Sequence, residues 1–92
     1  MIRSFRGRAT GRLWMGEFVK QFSGFEKQAI RKLDMIHNAR DLGDLRAPPA
    51  NRLEAPAGDR RGQHSIRIND QWRICFTWTK EGPANVEIVD YH

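Results

Sequence analysis

The sequence has 92 residues, of which 39% are hydrophobic and 29% are charged. This composition is typical of a small globular domain, and we expect one domain over residues 1–92 rather than a disordered tail or two domains. A core this thin excludes a deeply enclosed cofactor and favours a site in an open groove. No apolar run approaches the ~18 residues of a membrane span, so we expect no membrane association.

The positive charge is concentrated in the first half of the sequence. Residues 1–46 contain ten basic and five acidic side chains, whereas residues 47–92 contain six of each. Twelve of the sixteen basic residues are Arg, whose planar fork of donors suits phosphate or carboxylate. This excess favours a polyanionic partner, either a nucleic acid or an acidic protein, although a merely solvated basic surface fits the composition equally well.

Two helices are predicted in the first half. The first is expected over residues 10–20, where large apolar side chains recur at helical spacing: Leu13, Trp14, Phe18 and Phe22. The second is expected over residues 24–39, with Ser23 and Glu26 as a capping box. Its apolar face comprises Phe22, Phe25, Ala29, Leu33 and Ile36. We expect His37 near its end to be a partner of the helix dipole or a partly buried packing residue rather than a catalytic group. One further helical turn is expected over residues 41–45.

Strands are predicted at the start and throughout the second half. The start is Arg-rich like an organellar transit peptide, but residues 1–5 alternate as an edge strand does, so we expect them to belong to the domain. Residues 52–55 also alternate, and residues 56–62 form a loop by composition. Stronger alternation predicts strands over residues 64–68, 72–79 and 86–89, with a turn at Gly82-Pro83.

This order of elements predicts an α+β domain, in which two N-terminal helices pack on one face of an antiparallel sheet. The face towards the helices is expected to carry Ile66, Ile68, Trp72, Ile74, Phe76 and Trp78. The other face is expected to be open and to carry Ser65, Arg67, Arg73, Cys75 and Thr77. Cys75 is the only cysteine, so no internal disulfide can form and a reducing cytoplasm is the expected compartment.

The hairpin between residues 68 and 72 predicts a pair of arginines. Only a three-residue loop, residues 69–71, puts all the apolar side chains on one face, and it places Arg67 directly opposite Arg73. Like charges with Cβ atoms roughly 5 Å apart are unfavourable unless something negative lies between them. That partner is either a carboxylate, from Glu54 or Glu87, or a bound phosphate, and the spacing leaves both possibilities open.

The last three residues, Asp90, Tyr91 and His92, combine a carboxylate, a phenol and an imidazole after an apolar strand. They have the chemistry of an orienting group, a stacking surface and an acid–base group. The alternative is a frayed tail. In an ideal strand Asp90 would face the core, which predicts that the strand ends or twists near Val89. No HExxH motif, phosphate-binding glycine loop or zinc-ligand set is present, so we expect neither a metal nor a cofactor.

Two stretches of this sequence resemble the HigB-like toxins of the RelE/ParE superfamily. They are GDRRGQHSIRINDQWRICF, residues 58–76, and VEIVDYH, residues 86–92; the opening MIRSF and the segment NRLE at residues 51–54 also match. The resemblance covers nearly the whole chain and implies a RelE-like fold. It also implies a toxin of a bacterial type II toxin–antitoxin system that enters the ribosomal A site and cuts mRNA without a metal.

The resemblance further implies partners and residue roles. A helix-turn-helix antitoxin would neutralise the toxin, and contact with operator DNA would occur only through that antitoxin. Arg73, Asp90, Tyr91 and His92 match functional positions of the family, and Arg60, Arg61 and Arg67 are expected to contact RNA phosphates. Some members also use His and Lys after the second helix, where this chain has Glu54 and Ala57, so the second proton-transfer group is not identified.

Two other classes of function remain open at this stage. The ParE branch has the same fold and inhibits DNA gyrase without cutting RNA, but it needs no acid–base group at the position of His92. A simple RNA- or protein-binding module is the third possibility. For the toxin, we expect the antitoxin to contact the basic helical side at least in part, with an affinity that weakens as salt is added.

Overall fold

The structure is a computed structural model, and it describes residues 1–55 and 62–90. Within these residues the chain forms two α-helices, α1 (Ala9–Trp14) and α2 (Glu26–Asn38), and three strands, β1 (Gln63–Arg67), β2 (Trp72–Thr79) and β3 (Gly82–Asp90). Short 3-10 helices occur at Lys20–Phe22, Leu42–Arg46 and Pro49–Asn51. None of the helices in these two ranges is long and apolar enough to cross a membrane. The predicted α+β class is confirmed.

Helix α2 supplies the helical half of the core. Ala29, Leu33 and Ile36 are fully buried, as their spacing predicted. The predicted capping box of Ser23 and Glu26 was wrong. Phe25 is the N-cap residue, and the Glu26 carboxylate accepts the N–H of Gly24 at 2.8 Å. Gly24 has φ +97°, and this left-handed turn leaves Ser23 outside the first helical turn.

Helix α1 is shorter than predicted because Gly16 ends it. Gly16 has φ +91° and donates its N–H to Leu13, while Glu17 donates to Arg12. These two bonds form a Schellman motif, which satisfies the last carbonyls of the helix. The helix therefore stops at Trp14, and Phe18 lies outside it, exposed to solvent. The prediction of a helix over residues 10–20 was wrong beyond residue 14.

The sheet is antiparallel with the order β1–β2–β3. Ile66 pairs with Ile74, and Arg67 pairs with Arg73, which confirms the predicted register and three-residue loop. The loop is fixed by Asn69, whose side chain accepts the N–H groups of Gln71 and Trp72 at 2.9 and 2.8 Å. The register of this hairpin therefore follows from both the alternation and the loop chemistry.

The outer parts of the sheet differ from the sequence prediction. Residues 1–5 and 52–55 are not strands; each contributes one bridge, Phe5 to Val86 and Glu54 to Ser65. The β2–β3 turn lies at residues 80–81, and the predicted Gly82-Pro83 turn is instead the start of β3. The Thr79 hydroxyl fixes this turn by accepting the N–H of Glu81 and donating to the carbonyl of Gly82.

The two faces of the sheet are both largely covered. The helix-facing side carries the buried Ile66, Ile68, Ile74 and Phe76, with Trp72 and Trp78 partly buried, as predicted. The opposite side was predicted to be open, and this was wrong for Ser65, Arg73 and Cys75, which are all buried. Part of the cover comes from the segment around Arg52 and Glu54, which pairs with the outer edge of β1. Alternation fixes the face of each residue but not what lies over that face.

Candidate functional site

Arg73 is the best-anchored cation in this part of the molecule. Its side chain comes from β2 and reaches across β1, where Nε donates to the Ser65 hydroxyl at 2.9 Å. One terminal nitrogen, Nη2, donates to the carbonyl of Arg52 at 2.6 Å and to that of Ser65 at 3.2 Å. The same nitrogen lies 3.8 Å from the Glu54 carboxylate. Only 7% of the residue is exposed, so its guanidinium is held in one place.

The backbone around residues 51–54 creates this anchor. Asn51 is buried and donates to the carbonyls of Leu45 and Ala47, which fixes the loop after α2. Arg52 then adopts a left-handed conformation, φ 45° and ψ 59°, and its carbonyl accepts from Arg73. Glu54 and Ser65 next exchange both backbone hydrogen bonds, at 3.0 and 2.8 Å. The loop thus brings one carbonyl and one carboxylate to Arg73.

The predicted arginine pair is present, but the two guanidinium groups have separate partners. Arg73 turns towards Ser65 and Glu54, whereas Arg67 forms an ion pair with Asp70 in the hairpin loop. Of the two carboxylates considered from the sequence, that of Glu54 lies near Arg73. Glu87 lies on β3, where it is the strand-register partner of Cys75 on β2. Internal acceptors therefore relieve the repulsion in part. This arrangement does not test phosphate binding, which stays a prediction for Arg67 and Arg73.

A small surface depression lies over Arg73. Its volume is about 210 Å³, and its lining residues are Arg52, Glu54, Arg67, Asn69, Asp70 and Arg73. Three of these side chains are cationic and two are anionic. We call it the Arg73 depression. A phosphate group entering it would meet the fixed guanidinium of Arg73 in its floor and the side chains of Arg52 and Arg67 at its rim.

Lys32 is a further cation near this depression, and the sequence analysis did not identify it. Its ammonium group donates to the side chain of Asn51. Partial burial, followed by the positive charges of Arg31 and Arg67, lowers the pKa of Lys32 from its ordinary value of 10.5. The sequence could have indicated Lys32 through its position on α2. It lies three residues after Ala29 and four before Ile36, which puts it at the border of the apolar face.

Asp90 lies at the end of β3, opposite Trp72. Its carboxylate accepts the side-chain amide of Gln71 at 3.0 Å. Paired residues share a face, so Asp90 is on the helix-facing side at the rim, while Arg73 and its β3 partner Val89 are on the other side. Strand β3 ends at Asp90, one residue beyond Val89, and Asp90 has the face that an ideal strand gives it.

Four predicted site residues, Arg60, Arg61, Tyr91 and His92, lie outside the described residues, and their roles stay predictions. His37 is a packing residue as predicted: its Nδ1 accepts the N–H of Ile2, and its ring lies 5.2 Å from that of Trp14. Within residues 1–55 and 62–90, no three His, Cys, Asp or Glu side chains come together as a metal site would require.

Comparison with known families gives a match over most of the chain. Residues 16–92 match the family described as the RelE-like toxin of the type II toxin–antitoxin system HigB. The chain is 40% identical over 70 residues to Toxin HigB-1 of Vibrio cholerae, a match covering 76% of this chain and 73% of that protein. It is also 41% identical over 64 residues to an uncharacterised protein of Haemophilus influenzae, covering 70% of this chain and 63% of that protein.

A solved structure gives the same fold at low sequence identity. The YoeB–YefM complex of Staphylococcus aureus contains a chain that matches with a TM-score of 0.63 and 16% identity. The match covers 100% of this chain and 98% of that one. At this identity the likeness concerns the fold alone, and it supports the α+β arrangement of two helices on an antiparallel sheet.

Proposed function

The chain belongs to the RelE-like toxins of the HigB type II toxin–antitoxin systems, and from this membership we propose which of its residues cut mRNA on the ribosome. Ribosome-dependent mRNA cleavage is the activity typical of this family. The observation that carries the proposal is the Arg73 depression, in which a buried guanidinium is fixed by Ser65 and Arg52 beneath a rim that includes Arg67. A site of this kind suits a phosphodiester whose charge grows during the reaction.

The proposed reaction is an internal transfer at one phosphate. The 2′-oxygen of the RNA attacks the adjacent phosphorus, the new P–O2′ bond forms, and the P–O5′ bond breaks. A base on the protein takes the 2′-hydroxyl proton, and an acid returns a proton to the departing 5′-oxygen. The products are a 2′,3′-cyclic phosphate and a 5′-hydroxyl, so no water or external reactant is consumed in this step.

Arg73 has the role of stabilising the extra negative charge on the phosphate. Its guanidinium does not need to reorganise during the reaction, because its donors to Ser65 and Arg52 already fix its plane. Loss of one such preorganised donor typically costs 10²–10³ in rate. Arg67, half-buried at the rim, would exchange its ion pair with Asp70 for an RNA phosphate.

The proton transfers are assigned to His92 and to a second group. His92 would act as the acid because an imidazole titrates near neutral pH, with Asp90 orienting it and Tyr91 stacking on an RNA base. Glu54 is the proposed second group. Its side chain is 58% exposed and lines the Arg73 depression, and its carboxylate lies 3.8 Å from Arg73, which would let it reach a 2′-hydroxyl held there. Arg60 and Arg61 would add phosphate contacts.

The proposed partners are the ribosome with its mRNA and a helix-turn-helix antitoxin. The Staphylococcus aureus neighbour was solved as a complex of YoeB with YefM, which supports an antitoxin for this chain as well. Operator DNA would be contacted only through that antitoxin. Action on ribosomes implies a bacterial cytoplasmic location.

The decisive experiment is cleavage of a reporter mRNA by the purified toxin, with and without programmed ribosomes. Cleavage only with ribosomes is the expected result. Cleavage of free RNA to the same extent would contradict ribosome dependence, and growth arrest without any cleavage would point to the gyrase-directed class. The cyclic phosphate and 5′-hydroxyl ends are checked on the products.

The role of Arg73 is tested by Arg73→Lys beside Arg73→Ala. Both should reduce cleavage to a similar degree, because Lys keeps the charge but loses the fork of donors. Arg40→Lys, on an exposed side chain after α2, is the matched control and should cleave normally. An Arg73→Lys protein with wild-type activity would overturn the assignment.

A further inference from the structure

A pocket lies between β1 and the loop that follows α2, beside the Arg73 depression. Its volume is about 490 Å³, which is within the range of pockets that hold small ligands. We call it the Arg46 pocket. Its lining includes Leu42, Arg46, Pro49, Arg52, Leu53 and His64. The mechanism proposed above uses this pocket for nothing, so its lining has to be explained separately.

The Arg46 pocket is continuous with the Arg73 depression through Arg52, whose exposed side chain lines both. His64 and Ser65 are neighbours on β1, so their side chains lie on opposite faces of the sheet. The pocket therefore adjoins the helix-facing side, where His64 lies, and the depression adjoins the other side, where Ser65 holds Arg73. An RNA strand that leaves the depression over Arg52 would pass around the edge of β1 into the pocket.

Two exposed guanidinium groups line the pocket, those of Arg46 and Arg52. Within residues 1–55 and 62–90 neither of them forms an ion pair. By contrast, Arg67 at the rim of the depression is paired with Asp70. Two unpaired arginines that line one cavity suit an anionic ligand, and their planar forks of donors match a phosphate group.

The rest of the lining suits a flat ring. Leu42 and Leu53 are partly buried against the core, and the His64 ring is stacked on Phe76, with ring centroids 6.4 Å apart. The Nδ1 atom of His64 is shielded from solvent and has no hydrogen-bond partner in the described part of the chain. Such a nitrogen costs free energy unless a ligand or water supplies a partner. Unstacked RNA bases are held in surroundings of this kind, against His rings and Arg planes.

The wall of the pocket is fixed before any ligand binds. Asp41 and Asp44 form a capping box at the start of the short helix Leu42–Arg46. Asn51 holds the following loop against this helix by donating to the carbonyl of Leu45 at 3.2 Å. A ligand therefore does not have to order this segment, which lowers the entropy cost of binding.

We propose that the Arg46 pocket binds one nucleotide of the RNA, adjacent to the nucleotide whose phosphate occupies the Arg73 depression. Its base would lie against Leu53 and the ring of His64, and its phosphate would bind Arg46 and Arg52 together. The choice of RNA rests on the proposed function, whereas a flat ring attached to a phosphate is the ligand that the pocket itself indicates. A free nucleotide has the same chemistry, and the experiments separate the two sources.

The first experiment uses small ligands. Adenosine and uridine 5′-monophosphates, the two nucleosides and inorganic phosphate are titrated into the protein, and backbone amide resonances report where they bind. The monophosphates should shift resonances of Gly43, Leu53 and His64, and inorganic phosphate at the same concentration should shift them less. Arg46→Gln should weaken monophosphate binding about fivefold or more. Arg40→Gln removes an exposed arginine outside the pocket, so this matched control should bind like the wild type.

The second experiment measures the contribution of the pocket to cleavage. Single-turnover cleavage of ribosome-bound mRNA is followed at rising toxin concentration. Arg46→Gln and His64→Ala should chiefly raise the half-saturating toxin concentration, by about fivefold, whereas Arg73→Lys should chiefly lower the rate at saturation. His64→Phe keeps an aromatic ring and should restore most of the affinity. Thermal unfolding checks that the His64 variants are folded, and Arg46→Gln carries the test where they are not.

An abasic nucleotide next to the cut site, on one side and then on the other, compares the base with its proposed contact directly. On one of the two sides it should weaken cleavage by the wild type to the same degree as His64→Ala does. The two changes together should then cost little more than either alone, because both remove the same contact. An abasic nucleotide at a remote position of the mRNA is the control and should have no effect.

Each contrary result overturns a definite part of the inference. If inorganic phosphate shifts the pocket resonances as strongly as the monophosphates do, the pocket binds anions and the nucleotide assignment is wrong. If the monophosphates bind but the abasic nucleotides and His64→Ala act independently, the ligand is a free nucleotide rather than RNA. If the wild type cleaves mRNA and the pocket variants match it in both experiments, the pocket has no such role while the proposed function stands. If the wild type cleaves no mRNA but binds the monophosphates through Arg46, the proposed function fails and the nucleotide pocket stands.

Discussion

The buried guanidinium of Arg73 has a structural role as well as the proposed catalytic one. Arg73 was expected on an open face, where its removal would not affect folding. In the structure it satisfies the Ser65 hydroxyl and the carbonyls of Ser65 and Arg52. Activity measurements on Arg73 variants must therefore be interpreted together with their stability.

Arg73→Ala is expected to lower the free energy of unfolding by about 2 kcal/mol, because buried acceptors lose a charged donor. Arg73→Lys should recover part of this loss, since its ammonium group still donates to one acceptor. Urea unfolding measures both changes, with Arg40→Ala as an exposed control. Stability equal to that of the wild type in Arg73→Ala would mean that these contacts contribute nothing to folding.

Lys32 provides a second test at the level of single residues. Lys32→Gln keeps a donor to Asn51 and removes a charge that is disfavoured by burial and by Arg31 and Arg67. At neutral pH the Gln variant should be as stable as the wild type or slightly more stable, whereas Lys32→Ala leaves Asn51 without this donor and should lose about 1 kcal/mol. A marked loss of stability in Lys32→Gln would contradict this account.

The pH dependence of the same variant has a definite sign. The pKa of Lys32 is lower in the folded state, so the unfolded state holds its proton to higher pH. The unfavourable contribution of the charge is full at neutral pH and disappears as the pH rises from the folded pKa towards 10.5. Urea unfolding of wild type and Lys32→Gln across this range should therefore show the difference moving in favour of the wild type at alkaline pH.

At the level of elements, the end of α1 depends on one glycine. Gly16→Ala places a Cβ in a left-handed conformation, φ +91°, and should lower the free energy of unfolding by about 1 kcal/mol. Gly16→Asn should cost less, because Asn tolerates this conformation better. Thermal unfolding of the two variants measures the difference. If Ala and Asn had equal effects, the Schellman motif would not be what ends the helix.

The elements that were predicted well are those whose own sequence determines them. Strand β2 has its predicted bounds because eight residues alternate without interruption, and α2 follows its apolar spacing. The register between Arg67 and Arg73 was predictable because any other loop length would expose the isoleucines. Helical spacing alone, however, did not show that Gly16 stops α1 before Phe18.

The candidate site was less predictable because distant segments build it. Arg73 was identified from the hairpin register, but its burial depends on the carbonyl of Arg52, a contact across 21 positions of the sequence. Lys32 approaches the site only because Asn51 holds the intervening loop against α2. Strand alternation could give the face on which Arg73 lies, and no local pattern could give the segment that covers it.

Over the whole molecule, the proposed RNA site and the N-terminal segment lie at opposite edges of the sheet. The Arg73 depression is next to β1, whereas Phe5 bridges to Val86 on β3. Residues 1–46 carry ten basic against five acidic side chains, and this is the half of the chain that we expect the antitoxin to contact at least in part. Cleavage and neutralisation should therefore be separable by substitution.

Deletion of His92 alone is the sharpest test of this separation. A positioned acid or base typically contributes ~10²–10⁴ in rate, so the deletion should abolish growth inhibition and cleavage on ribosomes. Thermal stability and antitoxin binding should change little, because strand β3 and both α-helices keep all their residues. Substitution of Lys80 by Ala, in the exposed β2–β3 turn, is the control and should leave toxicity intact. A His92 deletion that stayed fully toxic would remove His92 from the mechanism, and Glu54 with Arg60 and Arg61 would then be the groups to examine for proton transfer and phosphate binding.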